Sequence, residues 1–206
     1  YIAILRTVMP LVPALSPGDL SDARDPDYFV RQEEVFREYG YRPAGDFFWH
    51  EGLTSVAMRV FLEEGGGGYG WALEQAVAGV DAPKRSVSVL SLFADGTVLD
   101  TTSAGGGSLV DPPWFLRAVA AEDTGAILNR HRERREEMQS AGKELVRVGE
   151  EELLETIRRQ ERRLGEYQVE IGRMRIADGR LRFTPAGAFR VFLRALGRLF
   201  MRSGRR

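Results

Sequence analysis

Residues 85–103 read RSVSVLSLFADGTVLDTTS, and the fold turns on them. Two β-rich runs, RSVSVLSLF (85–93) and TVLDTTS (97–103), flank Asp95-Gly96. Asp-Gly between such runs is the strongest short signal for a tight antiparallel hairpin. Upstream, the same period of two predicts three more strands. They are GYGWALEQAV (68–77), SVAMRVFLE (55–63) and YRPAGDFFW (41–49). In the second of these, Val56, Met58, Val60 and Leu62 fall on one side.

Before the strands the period changes. Asp25-Pro26 is an N-cap followed by proline at the first helical position, and Gly40 is a stop. Between them Tyr28, Phe29, Val35, Phe36 and Tyr39 share one helical face. The expected class is therefore α+β: an N-terminal helix packed on an antiparallel β-meander, followed by C-terminal helices. Residues 1–26 read as an N-terminal arm and connector, and 27–123 as the α+β core. Residues 124–174 read as a helical pair, and 175–206 as a short hairpin plus a basic amphipathic helix.

The helical pair follows AGGGSLVDPPWF (104–115), read as a loop. Its first helix starts at Thr124 and ends near Gly142. Its second spans about Glu150 to Met174. There Leu153, Ile157, Gln160, Leu164, Tyr167, Ile171 and Met174 recur at alternating four and three. That seam suits packing within the chain or a homodimeric coiled coil. RIADGRLRF (175–183) predicts a last hairpin, again turning at Asp-Gly.

Thr184-Pro185 repeats the cap signature and opens the closing helix, FTPAGAFRVFLRALGRLFMRSGRR. At roughly 100° per residue, Arg190, Arg194, Arg198 and Arg202 share one arc. Phe189, Phe192, Leu193, Leu196, Leu199 and Phe200 share the opposite one, with Val191 and Met201 as exceptions inside the basic arc. From Arg173 to Arg206 ten arginines face one acid, so this stretch carries +9 while the whole chain carries -1. An acidic body with a basic tail points to an anionic partner. An arginine arc opposite a Phe/Leu arc is the pattern of a helix lying in an anionic membrane interface. Docking of the same apolar arc on the protein's own core is the competing reading. Nucleic acid is disfavoured, because the aromatics sit on the apolar face and are not interleaved with the arginines. The opening YIAILRTVMPLVPAL reads either as an arm laid on the core or as the tail of a longer membrane segment; alone it is too short to span.

Motifs for chemistry are sparse. The absence of cysteine removes disulfides, thiolate metal sites and cysteine nucleophiles. GGGGYG (65–70) matches G-x-G-x-x-G, but Glu63 and Glu64 stand where a pyrophosphate would approach and no βαβ repeat follows, so a flexible hairpin tip is expected. No lysine follows it as in a P-loop. FADGTVLD (93–100) resembles the nucleophile loop of haloacid dehalogenase-like phosphatases, with Phe93 where the nucleophilic Asp must be. VLDTTSA (98–104) resembles the catalytic loop of aspartic proteases, with Thr102 in place of the glycine and no second copy. Neither His50 nor His131 has a second ligand at i+4, so neither a metal nor a cofactor is expected. The remaining enzymatic reading is a hydrolase with Asp100, Thr101 and Thr102 beside His50 or His131 in one pocket.

The succession of YRPAGDFF, SVAMRVF, SVLSLFADGTVLDTTSA, a Pro-Pro loop and ILNRHRERREEM resembles a group of uncharacterised bacterial proteins. These pair a small α+β core with later helices and an apolar-basic C-terminal segment. The resemblance covers most of residues 27–200 and implies membrane association with no assigned catalytic residue; the glycine insertion at 65–68 departs from it. The leading expectation is a non-enzymatic protein at the cytoplasmic face of a bacterial inner membrane, whose core binds a partner or small ligand. A cytoplasmic location, the hydrolase and a scaffold dimerising through 153–174 are the alternatives.

Overall fold

The computed structural model describes residues 8–10, 17–51, 53–104, 110–119, 123–178 and 180–189. In chain order the elements are β1 (Val8–Pro10), α1 (Pro26–Glu38), β2 (Tyr41–Glu51), β3 (Thr54–Glu63), β4 (Tyr69–Val77), β5 (Lys84–Phe93), β6 (Val98–Thr102) and β7 (Phe115–Val119). They continue with α2 (Thr124–Ser140), β8 (Leu145–Val146), α3 (Glu150–Glu170), β9 (Met174–Ala177) and β10 (Arg180–Phe183). The described residues fall into two compact units. One is drawn from Leu15–Gly107 and Pro113–Leu154, the other from Tyr1–Ala14, Ser108–Pro112 and Glu155–Arg206.

The larger unit is α+β. Its sheet runs β2-β3-β4-β5-β6-β7, with β8 pairing β5 beyond that path. β2 to β6 form the expected antiparallel meander, and β5 and β6 meet across Asp95-Gly96, with Gly96 at φ 82°. The meander gains one strand that the sequence pattern hid. Phe115–Val119, expected to follow a simple loop, pairs parallel to β6, with Val98 opposite Phe115 and Thr102 opposite Val119. Five residues interrupted by Arg117 give too short an apolar run to stand out after Pro112-Pro113.

α1 starts where Asp25 accepts the Tyr28 N–H at 3.1 Å, and Gly40 at φ 80° ends it. Its apolar face lies on the sheet. Phe36 is fully buried and stacks on Phe61 with ring centroids 4.0 Å apart, while Tyr41 meets it edge-on at 5.5 Å. The sheet makes room with small residues: a Cβ on Gly70 would stand 2.9 Å from the Phe36 ring. Ala57, Ala72, Val87 and Val89 join this core with Ile127 and Leu128 of α2. Each large side chain so buried contributes roughly 1.5–3 kcal/mol. Val56, Met58, Val60 and Leu62, on the opposite face of β3, are also buried. Burial on both faces explains why this strand reads as a nearly continuous apolar run.

Half-buried ion pairs fasten the edges. Arg59 donates to both Asp46 oxygens at 2.7 Å and to Glu33 of α1 at 2.6 Å. Buried Glu74 accepts from the Arg24 N–H at 2.9 Å and from Arg85 at 3.2 Å, and Arg85 lies over the Tyr28 ring.

In the smaller unit β1, β10 and β9 form an antiparallel sheet, and the expected last hairpin is β9–β10. α3 stops at Glu170, short of the Met174 expected from its seam, because the chain turns at Gly172 with φ 69°. Met174 belongs to β9. Along the seam Leu153, Ile157 and Gln160 are buried within the single chain, and Leu164, Tyr167 and Ile171 are half-buried. Buried Gln168 grips the backbone of Val110, donating to its carbonyl at 2.7 Å and accepting its N–H at 3.3 Å. Thr184 caps the closing helix as expected. Its hydroxyl accepts the Gly187 N–H at 2.9 Å, and its one hydrogen is directed at the carbonyls of Gly172 and Arg173, 2.8 and 3.1 Å away. Helical backbone follows over residues 185–189.

Candidate functional site

The most unusual polar centre is buried in the larger unit. His131 faces inward from α2 and is 1% exposed. Its Nε2 lies 3.0 Å from Ser91 Oγ on β5, and its Nδ1 lies 3.1 Å from Thr101 Oγ1 on β6. Ser91 Oγ also donates to the carbonyl of Gly67 at 2.9 Å. A hydroxyl has one hydrogen, and here it goes to Gly67. Nε2 must therefore carry the ring proton and donate to Ser91, and Nδ1 must accept from Thr101. The ring is neutral and fully used. Burial pushes its pKa down to about 3, with Arg135 and Arg134 adding repulsion. A Ser–His pair in this sense does not activate the serine, because the imidazole is the donor and not the base.

The chain Thr101–His131–Ser91–Gly67 ties the glycine turn to the core. Of the hairpin tip expected at 65–68, Gly66, Gly67 and Gly68 are packed and Gly65 stands in open space. The segment does join β3 to β4. Val148 N–H bonds to Gly66 carbonyl at 2.9 Å, and a Cβ on Gly68 would stand 2.9 Å from the Leu90 carbonyl. The glycines supply close approach as well as the φ of 69° at Gly66.

Beside this turn lies a cleft of about 400 Å³ lined by Tyr39, Glu63, Gly67, Arg135, Gln139 and Leu145 among others. Arg135 stands one helical turn after His131 and grips Glu63 through two bonds of 2.5 and 2.9 Å. The Glu63 carboxylate holds the guanidinium firmly charged, its pKa raised above the ordinary value.

The residues proposed for a hydrolase are divided by strand alternation. Thr101 reaches His131. Asp100 and Thr102 project to the other face, where Asp100 pairs with Arg117 Nε at 2.8 Å and Thr102 donates to the Val87 carbonyl at 3.1 Å. His50 is exposed at the end of β2, its ring edge-on to Phe48 at 4.8 Å. There it lines a separate pocket of about 240 Å³ with Arg24, Leu53, Ser55 and Ala76. Sequence reading missed Ser91 and the Glu63–Arg135 pair. Ser91 did leave a trace, as a hydroxyl in line with Val87, Val89 and Phe93 on the inward face of β5.

Of the membrane-interface residues, Phe189 is described and is 51% exposed. Arg190, Phe192, Leu193, Arg194, Leu196, Arg198, Phe200 and Arg202 lie outside the described residues. Among the described residues no helix is long and apolar enough to cross a membrane, and no three His, Asp or Glu side chains group to hold a metal. The sequence matches no protein-family model, and neither a curated protein nor a solved structure matches it, so no activity or partner carries over.

Proposed function

We propose that the protein associates reversibly with an anionic membrane surface through the segment after Thr184, and that its α+β core is a binding module and not a catalyst. The charge distribution carries this reading: +9 lies from Arg173 onward against an acidic remainder. The cytoplasmic face of a bacterial inner membrane is the proposed location, since basic flanks favour that side. The Thr184 cap supports the reading by starting helical backbone just ahead of the basic segment, and the exposed Phe189 offers a first apolar contact. Each arginine near an anionic leaflet contributes about 1 kcal/mol. A non-catalytic core is supported by the proton direction at Ser91–His131.

Co-sedimentation with anionic and neutral vesicles at low and high salt tests this. The full chain is expected to pellet with anionic vesicles and to be released by salt. Replacing Arg190, Arg194, Arg198 and Arg202 with glutamine should weaken binding roughly a thousandfold. A chain that stays in solution with anionic vesicles at low salt would sink the reading.

A further inference from the structure

The pocket holding His50 has a composition unlike that of the cleft. We propose that it binds a small organic carboxylate, with Arg24, His50 and Ser55 taking the carboxylate and the apolar wall taking a short hydrocarbon tail. This gives a ligand class to the core of the reading above. It does not depend on membrane association.

Register builds the pocket. His50 on β2 lies opposite Ser55 on β3, and Ser55 lies opposite Ala76 on β4. The three form one row across the helix-bearing face at the end of the sheet, since Phe48, two residues before His50, packs on the helical core. Ser55 and Ala76 are small, so the row is a depression of about 240 Å³. At the volume share of liquid water this is room for roughly eight non-hydrogen atoms.

The polar groups are donors. Arg24 enters from the connector before α1, and its Nη1 is pinned by the carbonyls of Val80 and Asp81 at 2.7 and 3.2 Å. Its Nε and Nη2 hydrogens bond to no described residue and can meet a two-oxygen acceptor in the planar geometry that guanidinium favours. Any tautomer of His50 presents an N–H, and Ser55 presents a hydroxyl. Among the described residues no acid lines the pocket. Glu74, two residues before Ala76 on the same face, is occupied by Arg85 and by the Arg24 backbone N–H. Leu53, 73% exposed, stands with Ala76, Val77 and Ala78 as the apolar wall. A bare inorganic anion would leave that wall unused.

The test is a backbone amide NMR titration of the full chain with butyrate, acetate and inorganic phosphate at constant ionic strength. Butyrate should give saturable shifts at residues 53–55 and 76–78, with half-saturation at roughly 1 mM. Acetate should bind more weakly. His50→Phe keeps the ring against Phe48, removes the donor and should weaken butyrate about tenfold. Ser55→Leu fills the floor and should abolish saturation. Both positions lie outside the buried core, and an unchanged amide spectrum elsewhere certifies folding. Shifts that stay linear, or that survive both substitutions, overturn the site. Phosphate saturating the same amides as tightly as butyrate overturns the carboxylate assignment.

Discussion

His131 exchanges a desolvation cost for three linked hydrogen bonds, and that exchange makes a pH prediction. Unfolded, the ring titrates near 6.5; folded, near 3. Between these values the unfolded chain binds the extra proton, so stability falls as pH drops through that window and is fully present above it. Urea denaturation between pH 6 and 5 should show a loss approaching about 1.4 kcal/mol per pH unit from this residue. His131→Leu should abolish that component of the slope. It should also lower stability at pH 7 by about 1–3 kcal/mol, because the Thr101 hydroxyl is left buried without its partner. An unchanged slope in His131→Leu would mean that the ring is not held neutral. Close approach makes a second prediction at this scale. A methyl group on Gly70 would meet the Ser88 carbonyl at 2.8 Å and Phe36 at 2.9 Å. Gly70→Ala should therefore cost about 1–3 kcal/mol in thermal or chemical denaturation, the reverse of the usual gain from replacing a strand glycine.

Elements here depend on contacts at their ends. The closing helix starts against the Gly172–Met174 turn, and a Cβ on Gly187 would stand 2.0 Å from the Arg173 carbonyl. Gly187→Ala should displace this first turn, read as faster amide exchange at residues 187–189. Thr184→Ala should cost about 1 kcal/mol through the lost cap. Normal protection in both variants would show that the turn is not docked as described. The β5–β6 hairpin is pinned by the Asp95 carboxylate, which takes the Thr97 N–H at 2.9 Å and the Lys143 ammonium. These bonds hold Asp95 at about 2, so the pin is complete above pH 4 and is released as pH falls through 2. Its ion pair is exposed, so Asp95→Asn should change stability little and mainly loosen the turn.

For the whole molecule, separate experiments address the two halves of the functional reading. Vesicle binding depends on the basic segment, and the carboxylate titration depends on the sheet end, so each can fail alone. Charge makes the further prediction that the logarithm of vesicle affinity falls linearly with the logarithm of salt concentration, as expected for release of counterions from a charged surface. Loss of membrane affinity should leave the stability of the α+β unit unchanged, because the described members of its core cluster, from Leu20 to Leu128, include no residue of the basic segment. Denaturation of the four-arginine variant measures that.

By itself, the sequence determined the helix that Asp25 and Gly40 bound, the β5–β6 and β9–β10 hairpins, the caps, and hence the α+β class. These are local signals: a φ angle, a side-chain cap or a period of two can be read within a few residues. Only the tertiary structure decided what depends on residues far apart. The parallel pairing of β7 joins segments separated by a loop. The fate of His131 was set by Ser91 and Thr101 on two other elements, and its proton by the carbonyl of Gly67. Alternation along β6 sent Thr101 inward and Asp100 and Thr102 to the other face, so adjacency in TVLDTTS gave no adjacency in space. The glycine run looked like freedom because no residue within it carries a side chain. The groups that crowd it, Leu90, Val148 and Leu145, come from distant positions, and their approach explains why side chains are absent there.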